Sequence, residues 1–187
     1  MITDMSLENF KAFKKLDNLH IAPLTVLSGM NSSGKSSILH SLLLLKQTLS
    51  SDQSESSLDD EALILDGEYL HYSNLKEIAY GLPTAQSAMI AYSFKLKSRN
   101  ENIGTIYFQI RNKSLIEHPE RKGPVITYFL WSDKESKKSY SIRLRSQEYC
   151  IPKRSGIEFP SFPDWFIPDK SKPQIKFSHF LHEAIIQ

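Results

Sequence analysis

Residues 29–36 read Gly29-Met30-Asn31-Ser32-Ser33-Gly34-Lys35-Ser36 and meet the pattern G-x-x-x-x-G-K-[ST] at every fixed position. Each type suits the capture of a phosphate chain. Gly29 lets the backbone leave a strand in a tight turn, and Gly34 lets the main chain approach phosphate oxygens with no Cβ in between. The N–H groups of Asn31, Ser32, Ser33, Gly34, Lys35 and Ser36 then face inward as an anion nest, backed by the positive end of the next helix, with Ser37 following in the contact set. Lys35 brings a point charge to the β- and γ-phosphates, the catalytic role in such a loop, and the Ser36 hydroxyl is the ligand for Mg²⁺. Chance produces this match in roughly one chain of this length in a hundred or fewer. The expectation is a nucleotide phosphate site.

Such a loop must be held between a strand and a helix, and the flanks supply candidates for both. Residues 24–28, Leu-Thr-Val-Leu-Ser, form a short apolar run with the texture of a strand covered on both faces. From Lys35 to Leu49, the residues Ile38, Leu39, Leu42, Leu43, Leu45 and Leu49 recur at spacings of three and four, which predicts a buried helix. Upstream, residues 2–9 and 16–22 read as strands, the second stopped by Pro23. Residues 50–61, with five serines, five acids and one leucine, read as a mobile loop.

From residue 62 the texture changes. Strands are expected at 63–65, 88–97, 104–111, 125–131 and 139–145, with a short helix at 74–80 closed by Gly81. Short polar turns between consecutive strands argue for an antiparallel meander. Residues 159–168, rich in proline and aromatics, read as an irregular connector, and Ser178 caps a helix that runs to the end of the sequence. The domain expectation is a P-loop lobe over 1–49, the acidic loop over 50–61, an antiparallel β-subdomain over 62–151, and a connector with the start of a helix over 152–187.

Composition sets the outer bounds. Of 187 residues, 40% are hydrophobic and 24% charged, so the chain is globular and neither fibrous nor wholly disordered. No window is apolar enough to span a membrane, no signal peptide is evident, and the single Cys150 allows no internal disulfide, which fits a cytoplasmic location. The net charge of +2 is uninformative, but residues 111–154 hold eleven Lys/Arg against five Asp/Glu. That excess is read first as a solvated, lysine-rich sheet face and second as an attraction for a polyanion such as DNA or RNA.

The opening Leu7-Glu8-Asn9-Phe10-Lys11-Ala12-Phe13, taken with residues 24–39, resembles the N-terminus of ABC-like ATPases of the RecF, structural-maintenance-of-chromosomes and OLD-nuclease group. Residues 63–69 with 74–78 are similar to the start of the β-subdomain in a bacterial AAA-labelled branch of that group. The resemblance implies an α/β fold: an ABC-ATPase-like P-loop NTPase N-terminal lobe carrying an antiparallel β-subdomain. It also implies ATP and Mg²⁺ as cofactors and a second ATPase head, in a homo- or hetero-oligomer, that closes over the nucleotide. Work in DNA repair or anti-phage defence, beside DNA and a nuclease or other effector, comes with the same likeness. Lys11, Lys14 or Lys15 at the first turn would reach the nucleotide as the equivalent turn does in that group.

The group's remaining pattern is missing. No LSGG-like signature occurs, and no apolar strand ends in Asp-Glu; Ala62-Leu63-Ile64-Leu65-Asp66 comes nearest, but Gly67 stands where the glutamate belongs. Gln47, the one candidate for a Q-loop glutamine, falls on the P-loop helix and reads as a surface position. His40, His179, His182 and Cys150 have no ligand or activating spacing around them. The chain therefore reads as the N-terminal half of a head, truncated or split, that binds nucleotide and hydrolyses it only when completed. The alternative is a nucleic-acid-binding or protein-interaction module in which nucleotide is structural.

Overall fold

A computed structural model describes residues 2–51, 63–81, 83–84, 87–97, 102–114, 122–133, 139–145 and 148–150. Alternation along β1 (Ile2–Phe10) buries Met5 and Leu7 on one side and leaves Asp4, Ser6 and Glu8 on the other, and Phe10 is buried after the backbone turns left-handed at Asn9. The chain reverses at Lys11 and Ala12 into β2 (Phe13–His20), which pairs antiparallel with β1. This reversal requires positive φ at Asn9 (54°) and Lys11 (45°). It is pinned from outside, where the Lys11 N–H donates to Ile78 O at 2.7 Å and the Tyr80 N–H donates to Asn9 O at 2.8 Å.

β1 pairs on its other edge with β3 (Met89–Lys97), and the sheet continues through β4 (Asn102–Ser114), β5 (Lys122–Asp133), β6 (Ser139–Arg145) and β7 (Glu148–Cys150). The result is one seven-stranded sheet in the order β2-β1-β3-β4-β5-β6-β7, with all neighbours antiparallel. Its inner face carries Tyr92, Phe94 and Phe108, packed with ring centroids 5.4 to 6.1 Å apart. Burying each such ring contributes about 2–3 kcal/mol, so this cluster anchors the core.

α1 (Lys35–Ser51) adds Ile38, Leu44 and Leu45 to the same core. The Tyr92 hydroxyl, deeply buried and held neutral by desolvation, donates to Ser41 O at 3.4 Å and ties the helix to the sheet. The buried side of the helix includes Ile38 and Leu45 as expected but departs from the rest of the leucine pattern. Ser37, Ser41, Gln47 and Thr48 are buried, whereas Leu39 and Leu42 are exposed. The inward hydroxyls are satisfied locally, Ser41 donating to Ile38 O and Thr48 to Leu44 O, both at 2.7 Å.

Three other expectations fail. Residues 24–28 join no sheet, and Leu24, Val26 and nearby Met30 are 82%, 79% and 84% exposed. A five-residue apolar run has strand propensity, but a strand exists only where another edge accepts its hydrogen bonds. Residues 63–65 likewise form no ladder; they lead into an isolated bridge between Asp66 and His71. The helix expected over 74–80 shrinks to one 3-10 turn, Leu75–Glu77, capped by the Asn74 side chain and followed by Gly81 at φ 77°. β2 starts three residues earlier than expected, and the three-residue β7 was not foreseen at all. The connector at 159–168 and the helix after Ser178 lie outside the described residues, as do residues 52–61 of the acidic loop.

Candidate phosphate-binding site

The loop from Gly29 to Gly34 turns through alternating backbone hands. Ser32 sits at φ 63° and Gly34 at φ 92°, and the Ser33 N–H donates to Met30 O at 3.3 Å. Conformations of alternating sign point successive N–H groups to one side, the geometry of an anion nest. Helix α1 begins at Lys35, where the Ile38 N–H donates to Gly34 O at 3.1 Å. The N–H groups of the first turn have no helical acceptor, and no acidic side chain occupies that turn to compete with an anion.

Gly34 is buried and serves a second purpose. A Cβ built there would run into the Phe13 ring, 3.0 Å from Cε2 and 3.1 Å from Cε1. The first residue of β2 is thus seated against the last glycine of the loop, so the β1–β2 hairpin sets the floor on which the loop rests. Gly29, at φ 153°, has Ser33 Oγ 3.0 Å from its own added Cβ.

The Lys35 ammonium folds back over the loop. It donates to Gly29 O at 2.8 Å, to Met30 O at 2.6 Å and to Ser33 Oγ at 3.4 Å. Its charge is therefore held beside the turn by neutral acceptors, which an anion can replace. Asn31, Ser32, Ser33 and Ser36 are exposed, whereas Ser37 is buried.

The structure brings other expected residues to different places. Gln47 is buried, contrary to a surface reading, and acts as a clasp. Its amide donates to Ile64 O at 2.6 Å and accepts from the N–H groups of Leu70 at 3.0 Å and Tyr69 at 3.3 Å. A Cβ at Gly67 would meet that amide at 2.9 Å, so the turn over 64–70 closes directly on the side chain. The paired signals, a glutamine one turn beyond Leu44 and a glycine after Asp66, were visible in the sequence without revealing that they meet.

Asp66 is exposed and bound to His71 Nδ1 at 2.6 Å, in a turn and not at the end of a core strand. His40 receives or gives a hydrogen bond with the Tyr72 hydroxyl at 2.7 Å, and the Lys11 ammonium lies 4.5 Å from the Tyr72 ring centroid. Partial desolvation, then the charge of Lys11, lower the His40 pKa from its usual range. Lys15 pairs with Asp17 at 3.0 Å. Lys11 and Lys15 thus have partners within the fold. No group of three or more His, Cys, Asp and Glu among the described residues is placed to hold a metal ion. His179 and His182 lie outside the described residues.

The family model described as AAA ATPase domain matches residues 1–172. The chain belongs to this AAA ATPase domain family. Membership implies ATP binding, and the matched range includes the G-x-x-x-x-G-K-[ST] segment at 29–36. Searches of curated proteins and of solved structures found no match. Among the described residues, no helix of this AAA domain is long and apolar enough to cross a membrane.

Proposed function

We propose that this chain is the phosphate-binding part of an ABC-like ATPase head of the RecF, structural-maintenance-of-chromosomes and OLD-nuclease kind, working in DNA repair or anti-phage defence. The observation that carries the reading is the loop itself. A backbone nest at 31–34 opens onto the first turn of α1, with the Lys35 ammonium parked 2.6 and 2.8 Å from two loop carbonyls. Asn31 through Ser37 surround the triphosphate, Lys35 exchanges its carbonyl partners for β- and γ-phosphate oxygens, and the Ser36 hydroxyl holds Mg²⁺. The metal, when bound, offsets negative charge on the transferred phosphoryl group.

Phosphoryl transfer to water also needs an acid to hold the metal and a group to orient the water. Asp66 is occupied by His71, and Gln47 is occupied by the 64–70 turn. Those functions fall to another segment or to a second ATPase head. The exposed apolar side chains of Leu24, Val26 and Met30, on the stretch that enters the loop, support a completing layer packed there. ATP then gates engagement, since each head contributes to burial of the γ-phosphate.

Steady-state ATPase assays test this reading. The chain alone with Mg²⁺ and ATP is expected to turn over negligibly. Vigorous hydrolysis by the isolated chain, abolished by Lys35→Ala, would show a complete enzyme and overturn the proposal of a partner-completed head.

A further inference from the structure

The stretch that enters the phosphate loop is open on two counts. Leu24, Val26 and Met30 are 82%, 79% and 84% exposed, and Leu39 and Leu42, on the helix that the loop leads into, are 53% and 39% exposed. Among the described residues, the backbone N–H and C=O groups of residues 24–28 have no hydrogen-bond partner. Leu27 packs against the core, so the stretch is anchored on one side and bare on the other. Apolar side chains beside free main-chain groups make an open strand edge, which takes up another strand where one fits. The ends of that edge are set. Pro23 has no N–H to offer, and Gly29 turns away at φ 153°. Five residues remain, centred on Val26.

Charge and size select the partner. Residues 21–34 carry no ionisable side chain, so two copies of this surface approach without repulsion, and neither offers a charge for an unlike partner to match. A segment paired with itself about a two-fold axis is self-complementary. In the antiparallel pairing centred here, Val26 faces Val26 of the other copy, Thr25 faces Leu27 and Leu24 faces Ser28. Five large apolar side chains at these exposures present a patch on the order of 600 Å², at the upper end of what a monomer shows. Two copies together bury on the order of 1,200 Å², the lower limit of a standard specific interface.

We infer that the chain forms a two-fold dimer without nucleotide, in which residues 24–28 of two copies pair as antiparallel strands and cover Leu24, Val26, Met30, Leu39 and Leu42. The occupant of the bare edge is a second copy of this chain. The inference deepens the reading of a partner-completed head by naming the layer that covers the stretch, and it rests on that reading only for what the dimer serves. Assembly is measured without nucleotide, so failure of ATP binding and failure of the dimer are separate results.

The test is sedimentation velocity of the full chain, free of nucleotide, from low to high micromolar concentration. A closed species of about twice the 21.5 kDa chain mass is expected. Val26→Lys places like charges directly across the axis and should weaken the dimer at least about hundredfold, with thermal unfolding of the monomer unchanged because the side chain is exposed. Leu24→Lys, at a second exposed position, should weaken it as well. A mixture of Val26→Lys with Val26→Glu should dimerise more tightly than either alone, which only a pairing of Val26 with Val26 produces. Lys35→Ala should leave the dimer intact. A monomer at every concentration, which would leave the edge to a strand of a different polypeptide, would overturn the inference. So would open-ended aggregates, a dimer that needs ATP, a dimer unaffected by Val26→Lys, or a mixture no tighter than its components.

Discussion

Phe13 occupies the space that any side chain at position 34 would need, its ring carbons 3.0 and 3.1 Å from where a Cβ would stand. Gly34 also holds φ at 92°, a region that L-residues rarely adopt. Two separable costs therefore fall on Gly34→Ala: backbone strain and a clash with Phe13. We expect the variant to lose about 1–3 kcal/mol of stability. Phe13→Ala alone should destabilise by leaving a void, yet combined with Gly34→Ala it should remove the clash and leave the strain. Urea unfolding of the four proteins in a double-mutant cycle measures the coupling, and simple additivity would refute the contact.

The Gln47 clasp predicts a large effect at a polar position. Gln47→Ala strands the carbonyl of Ile64 and the N–H of Leu70 in a partly buried turn, and should cost about 2–3 kcal/mol in denaturant unfolding. Lys46→Ala, one residue away, removes only an ammonium 4.7 Å from the Tyr69 ring and should cost about 0.5 kcal/mol. Similar losses for the two variants would contradict the assignment.

His40 gives the fold a pH dependence of definite sign. Its folded pKa lies below the ordinary 6.5 because burial and then Lys11 disfavour the imidazolium. The unfolded chain therefore binds the proton more readily than the native one. Stability from this group is intact above about pH 6.5 and declines as the pH falls below that value. Thermal unfolding between about pH 7.5 and 5.5 should show this decline, and His40→Gln should flatten it.

Much of this architecture was legible because it rests on local pattern. The β1 alternation, the helix starting at Lys35 and the strands β3 to β6 follow from side-chain periodicity, and the positive φ at Gly29 and Gly34 in the loop before the helix suits their residue type. What stayed hidden depends on partners distant in sequence. Leu24, Val26 and Leu27 have strand propensity whether or not an edge is present to pair with them. Leucines on several sides of α1 could not show that the side with Ser41, Gln47 and Thr48 turns inward, because the groups that satisfy Gln47 lie 17 to 23 residues away. The seat of Gly34 on Phe13 is of the same kind, since the spacing of the loop residues says nothing of what lies beneath them.

The most direct test of the account is calorimetric titration of the chain with ATP in the presence of Mg²⁺. The account predicts saturable heat with one site per chain for the wild type, and loss of that heat in Lys35→Ala at unchanged thermal stability. Absence of heat from the wild type, or equal heat from a folded Lys35→Ala protein, would contradict it.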